Sequence, residues 1–225
     1  MFSDFLSLIF PDTCIGCDSP LVKGEKLLCI KCKFSLPETN YHLQKTNDLH
    51  KRFAGKVAIN RAFAYLTYIK DGLAQKIIYT IKYKGVKEGA SLMGELYGQY
   101  LLSEANLKQE IDLIVPVPLH KKKLQKRGFN QSEWFAKGLS VTLKIPYSDV
   151  LLRTEQKESQ TLKGRVSRWG NVKEIYKFKK EGNVKELRIL LVDDVITTGA
   201  TMEICANELL KNGAKEVSIA AIAAA

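Results

Sequence analysis

The chain has 225 residues, which suits one core of ordinary domain size plus a small satellite. Hydrophobic residues make up 45% and charged residues 26%, the usual balance of a soluble globular protein, and no apolar stretch reaches the roughly 18 residues of a membrane-spanning helix. The formal net charge is +11, from 35 basic and 24 acidic residues; such an excess favours polyanionic partners, nucleic acid or phosphorylated metabolites, with plain solubility as the alternative.

The chain opens with MFSDFLSLIF, which places Phe2, Phe5, Leu6, Ile9 and Phe10 on one helical face before Pro11. It lacks the cationic start of a secretory signal, so a cytoplasmic protein is expected, its first turns docked on its own core or on a partner. Residues 1 to about 55 are otherwise irregular and hold Cys14, Cys17, Cys29 and Cys32 in the pattern C-x2-C-x11-C-x2-C. Four thiolates on two knuckles can close a tetrahedral site around Zn²⁺ with no open position, hence a structural metal. A redox pair or free thiols are the alternatives. Gly16 stands inside the first knuckle, where a tight turn is expected. This divides the chain into a zinc-knuckle module, 1–55, and a larger domain, 56–225.

From residue 62 the pattern sharpens. AFAYLTY (62–68) reads as a strand. Leu73, Ala74, Ile77, Ile78 and Ile81 repeat at helical spacing, as do Leu92, Met93, Leu96, Tyr97, Tyr100 and Leu101. IDLIVPVP (111–118) is a buried strand stopped by prolines, and 129–143 a helix with Asn130 and Glu133 as a capping pair. Strands follow at 150–153 and 174–178, separated by the polar stretch 154–173; then come a buried strand at 186–194, a helix from Ala200 to Lys211 stopped by Asn212 and Gly213, and a last strand at 216–223. The alternation predicts an α/β fold with a parallel, doubly wound sheet. Ligands of such sheets lie beyond the carboxyl ends of the strands, so 115–130, 154–173 and 193–201 should share one cleft.

The last of these, within ILLVDDVITTGAT (189–201), carries the chemistry. A Thr/Gly turn entering a helix presents backbone N–H groups, a helix dipole and hydroxyls to one phosphate. Two acids beside it would repel a free phosphate but suit a longer ligand. A ribose 5-phosphate gives its phosphate to the turn and its diol to the acids, which accept hydrogen bonds. Mg²⁺ bridging ribose and pyrophosphate oxygens would also sit well there. A strand-end acid pair before an ordinary helix cap is the alternative. No GxxxxGK[ST] or GxGxxG motif occurs.

This stretch resembles the phosphoribosyl-pyrophosphate (PRPP) loop of type I phosphoribosyltransferases. The resemblance implies that Asp193 and Asp194 are the catalytic acids, holding the ribose diol, and that Thr197, Thr198, Gly199, Ala200 and Thr201 hold the 5-phosphate. Upstream, VPVPLHKKKLQKRGFNQ (115–131) is a basic loop with no acid from Leu113 through Ser132; Lys121 and Arg127 would face the pyrophosphate, a solvated basic face being the alternative. In 154–173, Arg165 and Arg168 would close over the leaving group or follow a nucleic-acid backbone. There Trp169 would stack on a base or anchor the loop.

The four-Cys knuckle, IKYKG (81–85), the basic stretch, Q-x-L-x2-R-x5-N and the PRPP loop together resemble the ComF family across Cys14 to Thr201. That resemblance implies a phosphoribosyltransferase-like domain with an N-terminal zinc module and Mg-dependent PRPP binding. It also implies a role in DNA uptake and single-stranded DNA handling during natural transformation, with a competence helicase as partner. The sequence shows no C-terminal hood past the last strand, so residues 1–60 would have to serve that part, and no acceptor base is named. Two other functions stay open: a nucleotide-salvage transferase of the glycosyltransferase class, and a non-catalytic module that binds single strands through Lys121, Lys122, Lys126, Arg127, Arg165 and Arg168.

Overall fold

The computed structural model describes residues 11–103, 108–154 and 175–225. The N-terminal apolar face and Arg165, Arg168 and Trp169 lie outside the described residues.

The cysteine segment is built of turns around a short helix α1 (Ile30–Phe34), followed by the 3-10 turn Tyr41–Leu43 and helix α2 (Asp48–Lys51). Strand β1 (Ala62–Thr67) leads into α3 (Leu73–Tyr83) and α4 (Lys87–Ser103). Strand β2 (Leu113–Pro116) is followed by α5 (Lys121–Arg127) and α6 (Gln131–Leu143), then by β3 (Leu151–Arg153) and β4 (Tyr176–Phe178). Strand β5 (Arg188–Ile196), helix α7 (Ala200–Lys211) and strand β6 (Glu216–Ala224) complete the chain described.

The main sheet is four-stranded and wholly parallel, in the order β1-β6-β5-β2. Strand alternation sorts its side chains to two faces. Leu190 and Val192 join the cluster under α3, α4 and α6, whereas Ile189 and Leu191 join the cluster with Met202, Cys205 and Leu209 of α7. Because both faces are covered, the strands read as continuous apolar runs. Two expectations change. β3 and β4 do not enter this sheet; they form a separate antiparallel ribbon whose Leu151 and Tyr176 pack into the α7-side cluster. Asn130 caps α6 through the Ser132 amide at 3.2 Å, but Glu133 does not reach back to complete a capping box; it pairs with Lys137 at 3.3 Å instead.

The cysteine segment is fastened to the larger body. Its Cys14, Ile15, Leu28 and Cys32 share one apolar cluster with Ile77 and Ile81 of α3. The stretch after α1 runs along the free edge of β1: Thr39 N–H donates to the Tyr65 carbonyl at 3.0 Å, Thr67 N–H to that of Pro37 at 2.7 Å, and buried Asn47 donates Nδ2 to Ala62 O at 2.8 Å. An otherwise bare sheet edge is thereby paired. Among the described residues no helix is long and apolar enough to cross a membrane.

Helices α4 and α6 cross almost backbone to backbone. A Cβ on Gly138 would run into the Ser91 carbonyl, and one on Gly94 into that of Phe135. Alanine would gain about 1 kcal/mol of helix propensity at such a site. Backbone cannot step aside, so the helices would have to separate. We expect Gly138→Ala to lose about 1–3 kcal/mol net in urea unfolding, with an unchanged slope.

Candidate functional site

β2 and β5 are neighbours, yet the helices that follow them lie on opposite faces, α6 under one and α7 on the other. The chain therefore parts beyond their carboxyl ends, the crevice where open α/β sheets take ligands. A cleft of about 140 Å³ opens there. The segment after β2 contributes Val117–Leu119, Lys123, Arg127 and Asn130–Ser132, and β5 with its turn contributes Asp193, Asp194 and Thr201. Arg153, Tyr176 and Lys82 complete it. Two of the three strand-end stretches thus meet as expected. The third, 154–173, lies outside the described residues except for Thr154; Arg153, just before it, lines the cleft with its guanidinium 5.2 Å over the Tyr176 ring.

The two acids have different surroundings. Asp193 Oδ1 accepts from Ser132 Oγ at 2.7 Å and from the Asp194 amide at 2.8 Å. Burial, and then the Asp194 carboxylate beside it, push its carboxyl up to about 7. Asp194 Oδ1 is held by Lys82 Nζ at 2.9 Å, with the two side chains only 14% and 19% exposed. One acid is therefore paired with a cation, and the other is poised to take a proton or give it up to an arriving cation.

The turn after β5 lines a second hollow of about 40 Å³, formed by Asp193 and residues 195–202. Gly199 is the N-cap of α7 with φ 82°, a conformation that side chains resist, and it offers no side-chain cap to the first amides of the helix. A Cβ there would also meet the Phe53 ring at 2.9 Å. Arg52 donates Nη1 to the Thr197 carbonyl at 2.8 Å. The turn thus rests on two residues from the N-terminal part of the chain, a support that no local motif announces.

The basic stretch is a helix rather than a loop. His120 Nδ1 accepts the Lys122 amide at 3.2 Å to start α5, and left-handed Gly128 closes it. Lys123 and Arg127 line the cleft, while Lys121, Lys122 and Lys126 stand exposed on α5 and do not. Asn130 donates Nδ2 to Val117 O at 2.9 Å, tying the helix start to the end of β2. Gln131 lines the cleft at 1% exposure, and its Nε2 has no partner among the described residues. A buried donor left unmatched costs about 1–3 kcal/mol, so a ligand oxygen there is favoured. Lys82, Ser132 and Gln131 had no assigned role in the sequence, although IKYKG and FNQ contain the first and third.

A larger cavity of about 530 Å³ lies beside Cys14 and shares no lining residue with the cleft. Asp12, Asp18, Glu25 and Glu88 face Lys26 and Lys84 in it, a balance unsuited to a phosphorylated ligand.

The Sγ atoms of Cys14, Cys17, Cys29 and Cys32 lie within 4.8 Å of one another, and those of Cys17 and Cys29 are 3.8 Å apart. A zinc tetrathiolate with bonds of about 2.3 Å has sulfur–sulfur edges of about 3.8 Å, so the cluster suits a structural zinc ion. The Cys29 and Gly16 amides point at Cys14 Sγ, at 3.3 and 3.4 Å. Gly16 has no unusual backbone turn; a Cβ there would meet Leu73 Cδ1 at 2.7 Å, so that side chain would have to move aside. Cys205 is fully buried core, as expected.

Two outcomes follow from this geometry. Asp193 holds its proton to about pH 7 when folded but to roughly 3.9 when unfolded. The native state therefore binds more protons between those values, and stability falls as pH rises through them. Asp193→Asn, which keeps an Oδ1 acceptor, should flatten that slope in urea midpoints taken from pH 4 to 8. Cys32→Ser should lower bound zinc from about one ion per chain, measured by metal analysis, and lower the thermal midpoint, because the knuckles share the α3 core.

Residues 130–225, which run from the cap of α6 through β6, match the family model of the phosphoribosyl transferase domain. The chain is 30% identical to the DNA utilization protein YhgH of Escherichia coli K12, over 94% of this chain and 96% of that one. It is likewise 30% identical to the competence protein ComFC of Streptococcus pneumoniae, over 96% and 90%. Competence protein F of Haemophilus influenzae is 32% identical over 51% of each chain. With likeness at this level running nearly end to end through both larger comparisons, the chain belongs to the ComF family and carries a phosphoribosyltransferase-type fold behind its four-cysteine cluster.

Proposed function

We propose that the cleft beyond β5 binds PRPP together with Mg²⁺ and that this binding serves the handling of single-stranded DNA during its uptake into the cytoplasm. The observation that carries the reading is the meeting of three features in two adjoining hollows that share Asp193 and Thr201: the Asp193–Asp194 pair, the Gly199 turn at the start of α7, and the cations Lys123 and Arg127 of α5. Each suits one part of the ligand. The turn from Thr197 to Thr201 takes the 5-phosphate on helix amides. Asp193 and Asp194 accept from the ribose diol, and Lys123 and Arg127 balance the pyrophosphate. Gln131 Nε2 supplies a donor to a ligand oxygen. Asp193 and Asp194 would stand beside a Mg²⁺ that arrived with the ligand, and its charge would favour the ionised form of Asp193.

The DNA-handling part rests on the names of the relatives, one a DNA utilization protein and others competence proteins, and on the +11 charge. In this reading residues 1–55 act as a zinc-knuckle module on a phosphoribosyl-binding domain, 56–225, and Arg165 and Arg168 lie on the segment that would reach the leaving group or the strand. A competence helicase remains the partner implied by the family resemblance.

Calorimetry with PRPP and Mg²⁺ tests the reading. Asp193→Ala and Asp194→Ala should each weaken binding at least about tenfold, some 1.4 kcal/mol, while far-UV dichroism stays unchanged. Affinity equal to wild type in both variants would remove the proposal. Pyrophosphate release over a panel of bases separates a transferase from a binding protein.

A further inference from the structure

Helix α3 buries Ile77, Ile78 and Ile81 but turns Tyr79 and Tyr83 outward, at 55% and 61% exposure. The two stand one turn apart with ring centroids 4.9 Å from each other. Core packing explains neither ring. Their surroundings suggest a use. The Arg127 guanidinium lies over the Tyr83 ring, 5.4 Å from its centroid, and Arg127 also lines the cleft. Lys82, the residue before Tyr83, reaches into the same cleft to hold Asp194. The helix that ends at this Arg127, α5, also carries Lys121, Lys122, Lys123 and Lys126, and no acid occurs from Leu113 through Ser132.

An aromatic pair flanked by a basic helix matches one class of polyanion closely. A single nucleic-acid strand offers unpaired base faces for stacking and regularly spaced phosphates for cations. A duplex hides its base faces. An acidic protein surface would satisfy α5 but would leave the rings with no planar partner.

We infer that Tyr79 and Tyr83 form a stacking platform for the bases of a single strand, whose phosphates run along α5 at the mouth of the Asp193–Asp194 cleft. This rests on the DNA-handling part of the proposed function and places its contact surface on α3 and α5. Arg127 belongs to both sites, so strand and PRPP meet at one side chain.

The test titrates a fluorescent oligothymidylate of about twenty nucleotides into the full-length protein and its variants, over a range of salt. Tyr79→Ala and Tyr83→Ala should each weaken binding about tenfold, the scale of one lost base–ring stack. Tyr83→Phe keeps a ring and should stay within about twofold of wild type. The salt slope should be unchanged in the tyrosine variants, and Lys122→Gln or Lys126→Gln should lower it by about one each. A matching duplex should compete poorly, and Tyr79→Ala should bind PRPP as wild type does. If wild type binds the strand and both alanine variants bind it equally well, the platform is overturned while the proposed function stands. Efficient competition by duplex, or loss of PRPP affinity in Tyr79→Ala, also overturns it. If wild type binds PRPP but no strand, the platform falls together with the DNA-handling reading, and the PRPP site survives.

Discussion

Two adjacent carboxylates at the end of a buried parallel strand set the terms for everything around them. Charges placed side by side within β5, directly after the buried run that ends at Val192, must be divided between partners or neutralised. Here they are divided. Asp194 meets the ammonium of Lys82, and Asp193 receives a hydroxyl and an amide that hold it in place without a full counter-charge. The site is thereby left short of positive charge at one acid, while a nearby helix start and two cations offer room for anions. An anionic sugar bearing a divalent metal satisfies both halves of that imbalance at once. Neither a simple phosphate nor a simple cation does.

Those partners come from distant parts of the chain, which ties the site to the integrity of the whole. Lys82 sits on α3, and that helix is packed against the cysteine knuckles through Ile77 and Ile81. Ser132 opens α6, which lies so close to α4 that glycines are needed at the crossing. The phosphate-type turn leans on Phe53 and is held by Arg52. The N-terminal segment is thus coupled to the site along two routes, under α3 and beneath Gly199. A metal bound at the cysteines would stiffen the first of these, since the cysteines share the α3 cluster whereas Phe53 belongs to the other one.

The larger cavity beside Cys14 illustrates why volume is a poor guide. Its lining is mainly carboxylate among the charged groups, whereas the smaller crevice combines acids, cations, a helix start and a buried unmatched amide. Chemical variety within reach of one ligand distinguishes a site from a gap between elements.

The residues alone determined the elements whose cause is local. Period-3.6 repeats placed α3 and α4, the Asn212–Gly213 stop signal placed α7, continuous apolar runs placed β2, β5 and β6, and the acid-plus-turn stretch and the cysteine spacing each declared a chemistry, because a motif of contiguous residues carries its own geometry. Local pattern was misleading where two outcomes share one composition. A run of lysines reads equally as loop or helix until His120 and Gly128 cap it, and a short apolar strand reads the same whether it joins the main sheet or, like β3 and β4, pairs off alone. Only the tertiary structure decided which charges face each other. That Lys82 reaches Asp194 across 112 positions, that Phe53 supports Gly199, and that Lys123 rather than Lys121 lines the cleft depend on helix rotation and on the crossing of layers. Such contacts join residues far apart in the chain, and no short-range periodicity records them.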